Sequence, residues 1–294
     1  MPRKILSVIL IVLLVIVSSS VAMAGDRELN LRESNELVEA IASGSDEVAG
    51  GGVAFEYDPG EGADGDITVK WADGGINHTH QYILSQALMI LRNDKGDKVA
   101  NLLTKYASTL LPGADWPDAN ENDFSLYLGH FYDPYTGKTI LGISSPTALT
   151  RFLEHADNAK KYYAKNRTAS MRELGRAIHY LSDANVPHHA ALLTALDSNH
   201  SAFEAYADAA RANYSVSTTA FYSGITAADA KTQYAAYCRE IVNISARHAL
   251  GYVAPATSGD AADWSIAAEA SMEYSQQITA AFLYNFLRSV NAVK

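Results

Sequence analysis

Apolar residues recur at helical intervals through most of the chain. The stretches "HQYILSQALMIL", "MRELGRAIHYL", "AFEAYADAARANY", "YAAYCREIVNISARHAL" and "ASMEYSQQITAAFLYNFLRSV" place them three or four positions apart. That spacing gathers side chains onto one face of an α-helix. Small and aromatic residues fill the stripes, as close helix packing requires. No alternating run is long enough to build a sheet. Clusters of Pro, Gly and Asn, "LLPGADWPDANEND" and "YDPYTGKT", predict long loops between helices. The pattern predicts one all-α, multi-helix domain over residues 71–294.

The first seventy residues read differently. Arg3 and Lys4 precede an apolar run that ends in Ala22-Met23-Ala24. A positive start, an apolar middle and a small-x-small end predict a secretory signal peptide over residues 1–24 and a protein outside the cytoplasm. Residues 25–70 contain "SGSDEVAGGG" and "DPGEGADGD", rich in Gly and acid and poor in core residues. They predict a largely flexible pro-segment.

Composition narrows the picture further. A chain of 294 residues can bury a sizeable core. Cys238 is its one cysteine, read as a buried thiol, so no internal disulfide forms and burial or metal must hold the fold. A formal charge of −10 argues against a nucleic-acid-binding surface.

The candidate chemistry concentrates in "HYLSDANVPHH" and "HSAFE". Residues four apart share a helix face. His179 with Asp183, and His200 with Glu204, therefore each present a nitrogen and an oxygen together. Pro187 lacks an amide hydrogen and is expected to end the first helix, leaving His189 on a loop. Clustered His and carboxylate without cysteine suits zinc in an open, catalytic type of site. His155 and His248 lie outside these motifs and read as surface or packing residues.

In these residues the chain resembles the bacterial zinc-dependent phospholipases C, the family of secreted lecithinases and alpha-toxins. The family's H-Y-x-x-D, P-x-H and H-x-x-x-E stand here as His179 to Asp183, Pro187 to His189 and His200 to Glu204. "GHFYDP" around His130 and "THQYILSQALMIL" with His80 match further motifs. The resemblance implies three zinc ions. His130, His179, Asp183 and Asp118 would hold one; His189, His200 and Glu204 another. His80, Asp183 and an N-terminal Trp71 would hold the third, with Asp183 bridging. A free amine at Trp71 requires a processing protease to cut between Lys70 and Trp71.

The resemblance also implies a monomeric secreted hydrolase acting on phospholipid at a membrane or micelle surface, with no nucleic-acid partner. Asp118 would orient or deprotonate the attacking water, with Asp115 the competitor in the same segment. Tyr127 would contact the head group. Ala119 and Gly74 depart from the pattern of choline-preferring members. Two rivals remain at this point. One is a three-zinc single-strand nuclease, which typically has Asp where Glu204 stands. The other is a zinc protein without catalysis.

Overall fold

Short helices gain little from their own hydrogen bonds, so an amphipathic helix persists where its apolar face finds a partner. The computed structural model describes residues 79–121, 123 and 126–294. The expected signal peptide (1–24) and pro-segment (25–70), and Trp71, lie outside the described residues. In chain order the helices are α1 (Thr79–Lys95), α2 (Asp97–Thr104), α3 (Ala107–Asn120), α4 (Ala148–Tyr162), α5 (Arg167–Asp183), α6 (Pro187–Ala190), α7 (His200–Ala210), α8 (Tyr234–Leu250), α9 (Val253–Thr257) and α10 (Ala261–Ser289). Among the described residues there is no strand, and the pairing of Asp133 with Lys138 is an isolated bridge. The fold is all-α. No helix among these residues is long and apolar enough to cross a membrane.

Local chemistry starts the helices that matter most. Asn166 accepts the Ala169 amide at 3.0 Å and opens α5. Thr147 and Thr150 form a reciprocal capping box at α4, and Asp260 accepts the amides of Ala262 and Asp263 at the start of α10. Such caps are each worth about 1 kcal/mol. The core lies between α4, α5 and the long α10. Phe152 meets Phe282 with ring centroids 5.0 Å apart, and Tyr163 meets Phe286 at 5.5 Å. Cys238 is buried on α8, as expected.

Helix α5 packs along α4 on one side and α3 on the other. Its last turn is buried on every face, with His179, Tyr180, Leu181, Ser182 and Asp183 all inside. That burial places polar ligand-type side chains inside the fold.

Two sequence expectations are corrected here. The stretch "LLPGADWPDAN" is not a loop but most of α3, with Pro112 and Pro117 inside it. Each proline removes a backbone hydrogen bond. The packing of Leu110, Leu111, Gly113, Ala114 and Pro117 offsets that loss, since all five are buried. Tertiary burial overrides local propensity. Second, α5 ends at Asp183, four residues before Pro187. Pro187 instead opens the one-turn helix α6, where a missing N–H costs nothing, so His189 sits on a helix and not on a loop.

The crossing of α3 and α5 is unusually close. A methyl group on Gly175 would overlap the Leu110 carbonyl oxygen and lie 2.9 Å from Gly113 Cα. One on Gly113 would lie 2.8 Å from the Arg172 carbonyl oxygen. Only glycine on both helices lets the two backbones touch.

Candidate metal centre

That contact brings the Ala114 carbonyl 2.7 Å from His179 Nδ1. Nδ1 must therefore carry a proton, and Nε2 turns inward as the atom offered to a metal once its own proton is displaced. It meets Asp183 Oδ2 at 3.1 Å and His130 Nδ1 at 3.1 Å, while His130 Nδ1 and Asp183 Oδ2 are 2.9 Å apart. Asp118, on the last turn of α3, adds Oδ1 at 3.6 Å from His130 and 3.5 Å from His179. His130 enters from the 3₁₀ turn Leu128–His130.

A second group lies beside the first. His189 Nε2 and His200 Nε2 are 3.0 Å apart, and Glu204 Oε1 is 3.2 Å from one and 3.0 Å from the other. The i, i+4 spacing of His200 and Glu204 on α7 makes half of this group. Helix α6 delivers the rest. His80, near the start of α1, forms a third edge. Its Nε2 is 3.7 Å from Asp183 Oδ1 and 3.9 Å from Asp118 Oδ2. Ser182 Oγ donates to the Ile178 and His179 carbonyls, so it accepts from His80 Nδ1 at 2.7 Å and leaves Nε2 unprotonated.

The donor sets fit zinc. Two ligands each about 2.0–2.1 Å from a tetrahedral ion stand about 3.3–3.4 Å apart. Both groups fall near that separation. Each also turns two imidazole nitrogens and a carboxylate oxygen toward one point, an arrangement of acceptors that needs protons or a cation between them. Asp183 joins the groups. Its Oδ2 faces His130 and His179, and its Oδ1 lies 3.4 Å from His189 Nδ1.

The electrostatics follow from burial against charge. Burial raises the Asp183 pKa, but His179, His189 and His130 outweigh it and hold the carboxyl well below its ordinary value. Burial resists protonation of His179, yet Asp183 and Asp118 lift it to about 9. Asp183 and Glu204 likewise lift His189 to about 10 against its burial. Burial pushes Glu204 up, and the His200 and His189 contacts pull it below the usual carboxylate range. His80 goes the other way, to about 4, through burial and then repulsion from His179.

Every proposed ligand among the described residues converges here: His80, Asp118, His130, His179, Asp183, His189, His200 and Glu204. Asp115 faces elsewhere and accepts from the Gln81 side chain. Tyr127 lies beside the centre, its ring edge-on to His130 at 5.4 Å between centroids. Its backbone sits in the left-handed region, φ 50°. His248 stacks on Tyr274 at 3.8 Å, a packing role.

His155 is buried between Glu173 and Glu121 and not at the surface. The sequence reading missed that arrangement, and it also missed Ser182. Ser182 stands inside the H-Y-x-x-D motif, but a serine carries no mark of its distant partner. The Ala114 carbonyl has no side-chain signal at all.

The fold and these donors define an all-helical protein with a His–carboxylate centre able to hold divalent metal. A model of the zinc dependent phospholipase C family matches residues 79–250, more than half of the chain. The chain belongs to that family. Phospholipase C of Clostridium perfringens is 31% identical over 244 residues, 75% of this chain and 60% of that protein. Phospholipase C of Bacillus cereus is 30% identical over 179 residues, 56% of this chain and 62% of that protein. The solved alpha toxin from Clostridium absonum superposes with a TM-score of 0.62 at 27% identity, over 76% of this chain and 67% of that one. The chain thus spans about 60% of the length of the curated relatives it matches.

Proposed function

We propose that this chain is a phospholipase C that cleaves the phosphodiester on the glycerol side of a phospholipid, releasing diacylglycerol and a phosphorylated head group. The observation that carries the reading is the pair of ligand sets joined by one buried carboxylate, Asp183. A diester is anionic and repels nucleophiles, and adjacent cations offset that charge. Bound zinc there supplies charge neutralisation and an acidified water.

The chain's own residues do the positioning. Asp118 has one oxygen toward His130 and His179 and one toward His80, and its side chain is 51% exposed. Asp118 would accept a water's proton as the water oxygen attacks phosphorus and the bond from phosphorus to the glycerol oxygen breaks, that oxygen taking a proton from solvent as diacylglycerol leaves. His80, Asp118, His130, His179, Asp183, His189, His200 and Glu204 serve as zinc ligands in this reading, three ions in all, Asp118 being both ligand and base. The Trp71 amino terminus would complete the third, nine positions before His80. Tyr127 offers a ring face for a cationic head group.

Export, the maturing protease and a monomeric state belong to the same proposal. The test incubates purified chain with phosphatidylcholine vesicles and, separately, with single-stranded DNA, with zinc counted in the sample. Diacylglycerol release without DNA cleavage is expected. DNA cleavage without lipid turnover would transfer the chain to nuclease chemistry, and full zinc with no turnover of either would leave a binding protein.

A further inference from the structure

Six charged side chains form a buried or half-buried network behind the centre, and none of them is a ligand. Glu121 follows the last residue of α3 and lies three positions beyond Asp118. Its Oε2 accepts from the Tyr180 hydroxyl at 2.5 Å and from His155 Nε2 at 3.2 Å. His155 Nδ1 lies 2.7 Å from Glu173 Oε2. Both ring nitrogens thus face carboxylates, which requires both to carry protons.

Arg176 donates to Glu173 at 2.9 Å and lies 3.4 Å over the Trp116 ring of α3. Arg151 donates to Asp123 at 2.9 Å, and Asp123 Oδ2 accepts the Gly129 amide at 2.7 Å. A methyl group on Gly129 would crowd Asp123 Oδ2 at 3.0 Å and Arg151 Cγ at 3.1 Å. Three acids from the end of α3, the segment after it and α5 thus meet three cations from α4 and α5.

We propose that Glu121, Asp123, Arg151 and His155 are positioning residues for the metal centre, holding Asp118 and His130 at ligand distance from α5. The inference rests on the ligand roles proposed above. Burying six charges is a poor route to stability, because apolar residues of similar volume do as well or better. Charged networks with forked hydrogen bonds do fix geometry.

The ends of this network fall next to the ligands. Asp123 holds Gly129, the neighbour of His130. Glu121 holds the hydroxyl of Tyr180, the neighbour of His179, and the Tyr180 ring stands 5.3 Å from His130 and 5.0 Å from His179. Asp123 and Tyr127, at φ 47° and 50°, are both held in a backbone region that costs energy unless the surroundings impose it.

The experiment compares full-length Arg151→Met, Asp123→Ala and His155→Gln with wild type. Zinc affinity is read by competition with a chromogenic chelator, and thermal stability of the zinc-free protein is read in parallel. Phe152→Leu, in the core next to Arg151, supplies a destabilised control outside the network. His179→Ala supplies a ligand control. Loss of partners that orient metal ligands costs about 10–100-fold in metal affinity. The network variants are expected to lose that much for at least one ion, with Arg151→Lys recovering part of it, while Phe152→Leu keeps wild-type affinity.

If the network variants only melt earlier and bind zinc as tightly as Phe152→Leu, the frame is a stability device and the proposal fails. If a network variant does not fold, Arg151→Lys and Asp123→Asn carry the same comparison. If His179→Ala itself keeps full zinc, the ligand reading has failed, and that outcome is distinct from failure of the frame.

Discussion

Asp183 and Asp118 share the centre but differ in surroundings, and their substitutions should differ in kind. Asp183 and His179 are buried, whereas half of the Asp118 side chain faces solvent. His179→Ala or Glu204→Ala removes a donor from one of the two groups and should lower zinc content and stability together, since metal binding energy is folding energy. Asp118→Asn keeps an oxygen near the site and removes the proposed base. It should lower turnover by about 100-fold or more while zinc content falls less. Metal analysis beside initial rates checks this. A near-normal rate for Asp118→Asn with a dead Asp115→Asn would move the catalytic role to Asp115.

The same residues set a proton balance. His179 and His189, raised to about 9 and about 10, hold protons at neutral pH before zinc binds. Both values lie above the unfolded value near 6.5. In zinc-free protein these ion pairs therefore add stability fully below about pH 6.5, and that stability is lost as pH rises through about 9 to 10. Zinc must displace both protons. Calorimetry at pH 7 in two buffers of different ionisation enthalpy should show release of about two protons on zinc binding. Release near zero would contradict the charge assignment.

At the level of elements, the α3–α5 crossing sets the site. Gly175→Ala would raise helix propensity by about 1 kcal/mol in isolation. Here the added methyl meets the Leu110 carbonyl, a backbone atom that cannot rotate away. Net destabilisation of about 1–3 kcal/mol is expected. Weaker zinc binding should accompany it, because the Ala114 carbonyl that orients His179 moves with α3. A denaturant midpoint unchanged or raised would show that the crossing can open without harm. Periodicity made α1, α5, α7, α8 and α10 legible in the sequence. Helix α3 was not legible, since Pro112 and Pro117 carry a loop signal that only the burial of its inner face overrides.

For the whole molecule, the proposed ligand role of Trp71 sets a requirement on the chain terminus. An amide nitrogen inside a chain cannot replace a free amine as a metal ligand. Full-length protein is therefore expected to gain activity when cut between Lys70 and Trp71, with the zinc count rising in step. N-terminal sequencing alongside activity checks it, and full activity with residues 25–70 still attached would remove Trp71 from the ligand set.

Covalent spacing is what a sequence determines unaided. Two residues four apart on a helix share a face whatever surrounds them, so the pairs His179/Asp183 and His200/Glu204 could be read directly, as could the all-α class. Resemblance extended the reading to His80, Asp118, His130 and His189. Tertiary structure alone decided the rest. It turned Asp118 toward the histidines and Asp115 toward Gln81. It also buried His155 between carboxylates 34 residues before it and 18 after. Backbones that touch at Gly113 and Gly175, far apart in the chain, bring the Ala114 carbonyl to His179, and contact at such range is fixed by packing of the whole core.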